Sequence, residues 1–219
     1  MSRSESLDAT DLVVLTGGIA LGATAALVLV PDWAPALAGS LGNGGKEAIW
    51  YLVRSSGLAA FGLLWLSVTL GLWISNRYAR LWPGGPAAFA LHEHASVLGL
   101  GLSLLHALLL LGDRRLGGTS LFAVLVPFAS PSERVGSGLG QLALLLSALV
   151  TSSFYLRRKI GQRAWRALHF ASFALFALAV AHGLAVGTDA RSWTGRLPYA
   201  IALVSVSWLS LARFRAARA

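Results

Sequence analysis

The chain has no cysteine and a single methionine, Met1. The first absence removes disulfides, thiolate metal sites, iron–sulfur clusters and covalent c-type heme attachment together. The second removes methionine as a ligand inside the fold. Charge is scarce as well: 12% of the 219 residues are Asp, Glu, Lys or Arg, about half the share of an ordinary soluble domain. Acids are the scarcer sign, nine against eighteen bases, for a net charge of +9. The arginines sit at the ends of apolar runs, so membrane topology and lipid headgroups account for them and no nucleic-acid partner is expected. No glycine-rich fingerprint follows a strand-like segment, and the GNGG at 42–45 reads as a loop. The chain therefore shows no place for a nicotinamide or flavin dinucleotide; another protein would carry one.

Apolar residues are what the chain does have: 56% hydrophobic, with a mean hydropathy of +0.67. This composition predicts an all-α integral membrane protein. The polar opening MSRSESLDATD lacks the features of a secretory signal, so the first apolar run is read as a retained helix. The predicted spans are 12–30, 49–75, 87–111, 135–156, 164–186 and 197–211. The piece at 121–130 is too short to cross, contains Pro127, and reads as a re-entrant or interfacial segment. No repeat or linker divides the chain, which reads as one six-helix transmembrane domain over 1–219. Placing both termini in the cytoplasm puts eleven Lys and Arg residues on inner segments and six on outer loops. That bias favours this orientation in the cell membrane, and the run RRKIGQR at 157–163 contributes most to it.

All five histidines lie in two of these spans: His92, His94 and His106 in the third, His169 and His182 in the fifth. Imidazole is costly in hydrocarbon unless satisfied, so intramembrane histidines point to a site. His92 and His106 are fourteen residues apart, His169 and His182 thirteen, so each helix carries two histidines roughly 20 Å apart along its axis. Both spans run outward in the assigned orientation. The depths then match as an inner pair, His92 with His169, and an outer pair, His106 with His182. Two stacked b hemes with bis-histidine iron need this layout; a zinc or copper site needs ligands converging at one level. Fourteen residues return close to the same helix face. Thirteen do not, so the fifth span needs supercoiling, an irregularity or long side-chain reach. His94 points elsewhere on the helix and is the alternative to His92; Glu93 reads as an interfacial residue.

Arg54 lies inside the outer end of the second span, at the depth of His106 and His182, where a heme propionate would need a cationic partner. Gly99 and Gly101 read as room for a porphyrin between the histidines of the third span. Arg166 reads as a topology charge. Trp50, Trp73, Trp82 and Trp165 fall near span ends, as an aromatic belt does.

The paired spacing and the stretch SSFYLRRKIGQRAWRALHFASFALFALAVAHGLAVGTD resemble the ferric reductase-like transmembrane domain family, over roughly 49–189. That family includes the membrane halves of NADPH oxidases and ferric-chelate reductases, and the heme-binding subunit of the methionine-sulfoxide reductase system. The resemblance implies two b hemes, iron ligands at His92, His106, His169 and His182, and electron flow from the cytoplasmic to the outer side. The resemblance covers the membrane part alone, and the flavin and nicotinamide domain of the larger members is expected to lie in a separate protein. The expected function is transmembrane electron transfer from a separate flavin reductase or a quinol to ferric iron, oxygen or a periplasmic redox protein. The alternatives are a heme-binding subunit of a methionine-sulfoxide reductase-type system, or a membrane heme sensor without electron throughput.

Overall fold

The structure is a computed structural model that describes residues 46–112 and 119–218. The predicted span at 12–30 lies outside the described residues. The chain parts into two units, 1–51 and 52–219. The first helix starts in the first unit and continues into the second, and the second holds every later element. The α-helices are α1 Lys46–Ser75, α2 Gly85–Leu109, α3 Leu121–Leu125, α4 Arg134–Ile160, α5 Gln162–Phe170, α6 Ser172–Val186 and α7 Trp193–Arg218. Short 3-10 turns occupy Tyr78–Arg80, Leu110–Gly112 and Asp189–Arg191. The described residues are helical with no strand. Five helical stretches are long and apolar enough to cross a bilayer: Ala48–Ser75, Gly85–Gly112, Arg134–Ile160, Gln162–Val186 and Trp193–Ala216. Only 17–28% of each apolar window is buried inside the protein, so most of that apolar surface faces outward, as lipid as solvent requires.

Helix ends follow local chemistry. Gly84, at φ 99, precedes α2, and Pro86 sits in its first turn, where its missing N–H costs nothing. Arg157, Arg158 and Lys159 crowd the last turn of α4, where cations complement the helix dipole. Gly161 then turns the chain at φ 83, a conformation that side-chain-bearing residues rarely adopt, and α5 begins at the next residue. The fifth span is interrupted where α5 gives way to α6: the Ala171 N–H bonds the Leu168 carbonyl at 3.0 Å, a tightened turn. The irregularity that the thirteen-residue spacing needs therefore lies between His169 and His182. The sixth span is longer than its predicted 197–211, because helix continues through Pro198 near its start.

The short segment after α2 is pinned rather than free. Gln141 of α4 is 7% exposed. Its amide donates to the carbonyls of Ala123 at 2.6 Å and Val124 at 3.0 Å, and its Oε1 accepts from the Phe128 N–H at 2.9 Å. Three backbone groups at the end of α3 are thereby satisfied within apolar surroundings.

Contacts give the directions of the long helices. Val53 meets His106 while Ser67 meets His92, so α1 and α2 are antiparallel. His92 meets His169 and His106 meets His182, so α2 runs parallel to the α5–α6 span. Gly136 on α4 bonds His182, and α4 packs antiparallel along α6. Phe61 contacts Tyr199 and Trp65 donates to Ser205 at 2.8 Å, which sets α7 parallel to α1. The apolar core lies among α1, α6 and α7 and holds Phe61, Val68, Leu72, Phe176, Val180, Ala202 and Val206. This core packs α1 directly against α6 and α7, the Phe61 and Phe176 rings stacking at 6.3 Å.

Candidate functional site

Two histidine pairs form the site. The His92 and His169 rings have centroids 6.0 Å apart with planes at 71°. His106 and His182 are 6.2 Å apart at 79°. Two imidazoles sharing one metal through their Nε2 atoms, each about 2 Å from it, have centroids about 6 Å apart. Rotation about a nitrogen–metal axis leaves the nitrogen in place, so near-perpendicular planes are compatible with that arrangement.

The other ring nitrogens decide the tautomer. Nδ1 of His106 lies 2.8 Å from the Val53 carbonyl, Nδ1 of His92 2.8 Å from the Ser67 carbonyl, and Nδ1 of His182 2.8 Å from the Gly136 carbonyl. A carbonyl only accepts, so in each case Nδ1 carries the proton and Nε2 keeps its lone pair for a metal. The Ser67 hydroxyl lies 3.2 Å from the His92 Nδ1 and bonds Ser96 Oγ across to α2 at 2.7 Å.

Each of these three rings lies on a glycine placed four residues after the carbonyl it bonds. A Cβ on Gly57 would sit 2.9 Å from the His106 ring, and one on Gly140 would sit 2.6 Å from the His182 ring. At Gly71 the corresponding approach to His92 is an ordinary 3.4 Å. In a helix, the side chain at i+4 covers the carbonyl of residue i; glycine there uncovers it for a second donor. The sequence reading missed these glycines. Their signal was present, since Gly57 and Gly71 repeat the fourteen-residue spacing of His92 and His106.

His169 is held differently. It stacks on Trp165, with centroids 5.3 Å apart and planes at 29°, and sits in the last turn of α5. His94 turns out of the site: it is exposed, and its Nδ1 donates to the Ala90 carbonyl of its own helix at 2.7 Å. The histidine that the structure brings to His169 is therefore His92. Glu93 accepts from Tyr155 of α4 at 3.1 Å, both residues being exposed.

Arg54 faces a carboxylate of this same chain. Its Nε donates to Asp189 Oδ2 at 3.1 Å, and its terminal nitrogen pairs with Oδ1. The two side chains are 36% and 34% exposed, and the rest of the guanidinium fork remains for another acceptor. Asp189 escaped the sequence reading because it lies in a loop, 135 residues from its partner. Gly99 does not open the space between the histidines: a Cβ there would meet Leu63 and the Ala60 and Leu64 backbone of α1. It serves close packing of α1 on α2. Gly101 is open, with nothing within 4 Å of a Cβ.

Among the described residues no group of three or more His, Cys, Asp or Glu side chains converges. The coordinating groups present are paired imidazoles, which could serve an iron already held by a macrocycle and needing only axial ligands. No curated protein and no solved structure matches the chain. A family model matches residues 48–189, a range that encloses both histidine pairs, Arg54 and Asp189, and the chain belongs to that family, described as Domain of unknown function (DUF8596).

Proposed function

We propose that this chain is a six-span di-heme b cytochrome of the cell membrane. In this reading it moves single electrons from a cytoplasmic-side donor to an outer-side acceptor, with both termini in the cytoplasm. The observation that carries the reading is the pair of His–His contacts, each at the separation of two imidazoles on one metal. The same reading takes the histidine spacing as that of a ferric reductase-like membrane domain.

Heme, if held here, would supply a one-electron couple. The chain's own residues do the rest. His92 and His169 would hold the inner group, His106 and His182 the outer one. The carbonyls of Val53, Ser67 and Gly136 orient three of these rings and raise the basicity of their free nitrogens. Arg54 would meet an outer propionate with the N–H groups that Asp189 leaves unused. The donor would be a separate flavin reductase or a quinol at the inner end, and the acceptor ferric iron, oxygen or a periplasmic redox protein.

The test is heme counted per chain by pyridine hemochrome on detergent-purified protein. Two b hemes in the wild type, and about one each in His106→Ala and His169→Ala, are the expected outcome. Protein from heme-replete cells that carries none would end this reading.

A further inference from the structure

The two pairs are not built alike, and the difference falls on one residue. Along α1 the carbonyl–glycine devices, Val53 with Gly57 and Ser67 with Gly71, recur after fourteen residues. On α4 the device is Gly136 with Gly140, beneath His182. The same step along α4 reaches Val150 and Phe154. The Val150 carbonyl is taken by the Ser153 hydroxyl at 2.6 Å, and a phenylalanine stands in place of the glycine. Among the described residues no hydrogen bond reaches the His169 ring; its neighbours are the His92 ring and the face of Trp165. His169 also lies in the last turn of α5, two residues before the tightened turn at Ala171. The Trp165 Nε1 is buried and lacks a partner among the described residues, an N–H donor left over beside the least-held ring.

We propose that His169 is the exchangeable ligand of the inner pair, and that the inner site thereby takes up a small neutral diatomic ligand of the carbon monoxide and nitric oxide class while the outer site does not. The inference rests on the di-heme reading. Loss of an orienting partner costs a metal-bound histidine roughly 10–100-fold in affinity. His92, opposite, keeps its Ser67 bonds and stays in place. In the exchange the bond from His169 Nε2 to ferrous iron breaks and the nitrogen leaves with its lone pair. The ligand's carbon or nitrogen donates its own pair, so no net electron moves. The buried indole N–H of Trp165, on the ring stacked against His169, is then the donor offered to the bound ligand. His106 and His182, each held by a carbonyl and a glycine notch, resist the same exchange.

The probe is carbon monoxide added to the dithionite-reduced full chain, with heme counted in the same sample. The expected result is conversion of about half the heme to its carbonyl form. The C–O infrared band of that form should shift in Trp165→Phe, which keeps the stacking and removes the N–H. A protein with two hemes and no carbonyl overturns this inference and leaves the di-heme reading standing. So does a carbonyl band that Trp165→Phe leaves unmoved, since the ligand would then lie elsewhere. A protein without heme overturns both.

Discussion

The rings of His106 and His182 rest on glycines that admit no Cβ without movement, whereas Gly71 has room for one beside His92. Gly57→Ala and Gly140→Ala should therefore push an outer ring off its carbonyl and lower heme content toward one per chain. Gly71→Ala should leave two. The hemochrome count separates these outcomes, and equal losses in all three variants would show that the glycines serve helix packing alone. The ring planes give a second test at this scale. Near-perpendicular imidazoles, at 71° and 79°, would leave the two π-type d orbitals of a ferric iron bound between them close in energy. Low-temperature electron paramagnetic resonance should then show strongly anisotropic low-spin signals; an ordinary rhombic spectrum would contradict the ring geometry. The Arg54–Asp189 pair is about one-third exposed at each side chain. A double-mutant cycle with Arg54→Ala and Asp189→Ala, read by thermal unfolding in detergent, should return a coupling of about 1 kcal/mol or less.

Among the elements, α3 depends most on a single side chain. Gln141 satisfies two carbonyls and one N–H of the Ala123–Phe128 stretch. Gln141→Leu keeps the volume and strands all three, which should destabilise the protein by about 2–4 kcal/mol. A melting temperature unchanged by this substitution would mean that water or lipid headgroups reach those atoms. Much at this scale was legible beforehand. The four predicted spans within 49–186 each coincide with a long helical stretch, the last of them interrupted at Ala171, because apolar length fixes where the chain can cross a bilayer. The ends were less legible. Whether helix passes through Pro198, or is interrupted at Ala171, depends on neighbouring helices that supply or withhold partners for the freed backbone groups.

For the whole molecule, the five long apolar helices of the described residues and the predicted span at 12–30 together give the six crossings of the proposed topology. The natural absence of cysteine makes the orientation directly measurable. A single cysteine introduced at Gln162, within the basic run of 157–163, should react with a membrane-impermeant maleimide in inverted vesicles and not in intact cells. The reverse pattern would invert the assignment of donor and acceptor sides.

Composition and the length of the apolar runs foretold the long apolar helices of the described residues, because few charges and apolar segments of that length suit a helix in lipid. Histidine spacing alone determined which residues could lie at matched depths, since rise per residue is constant along a helix. The tertiary structure decided what the axial coordinate cannot express. Rotation about each helix axis selects His92 over His94 as the neighbour of His169. The lateral approach of α1 and α4 decides which carbonyl reaches the Nδ1 of His92, His106 and His182. The fold also brings Asp189 to Arg54, a pairing invisible in sequence because 135 residues separate the two and only the folded chain closes that distance.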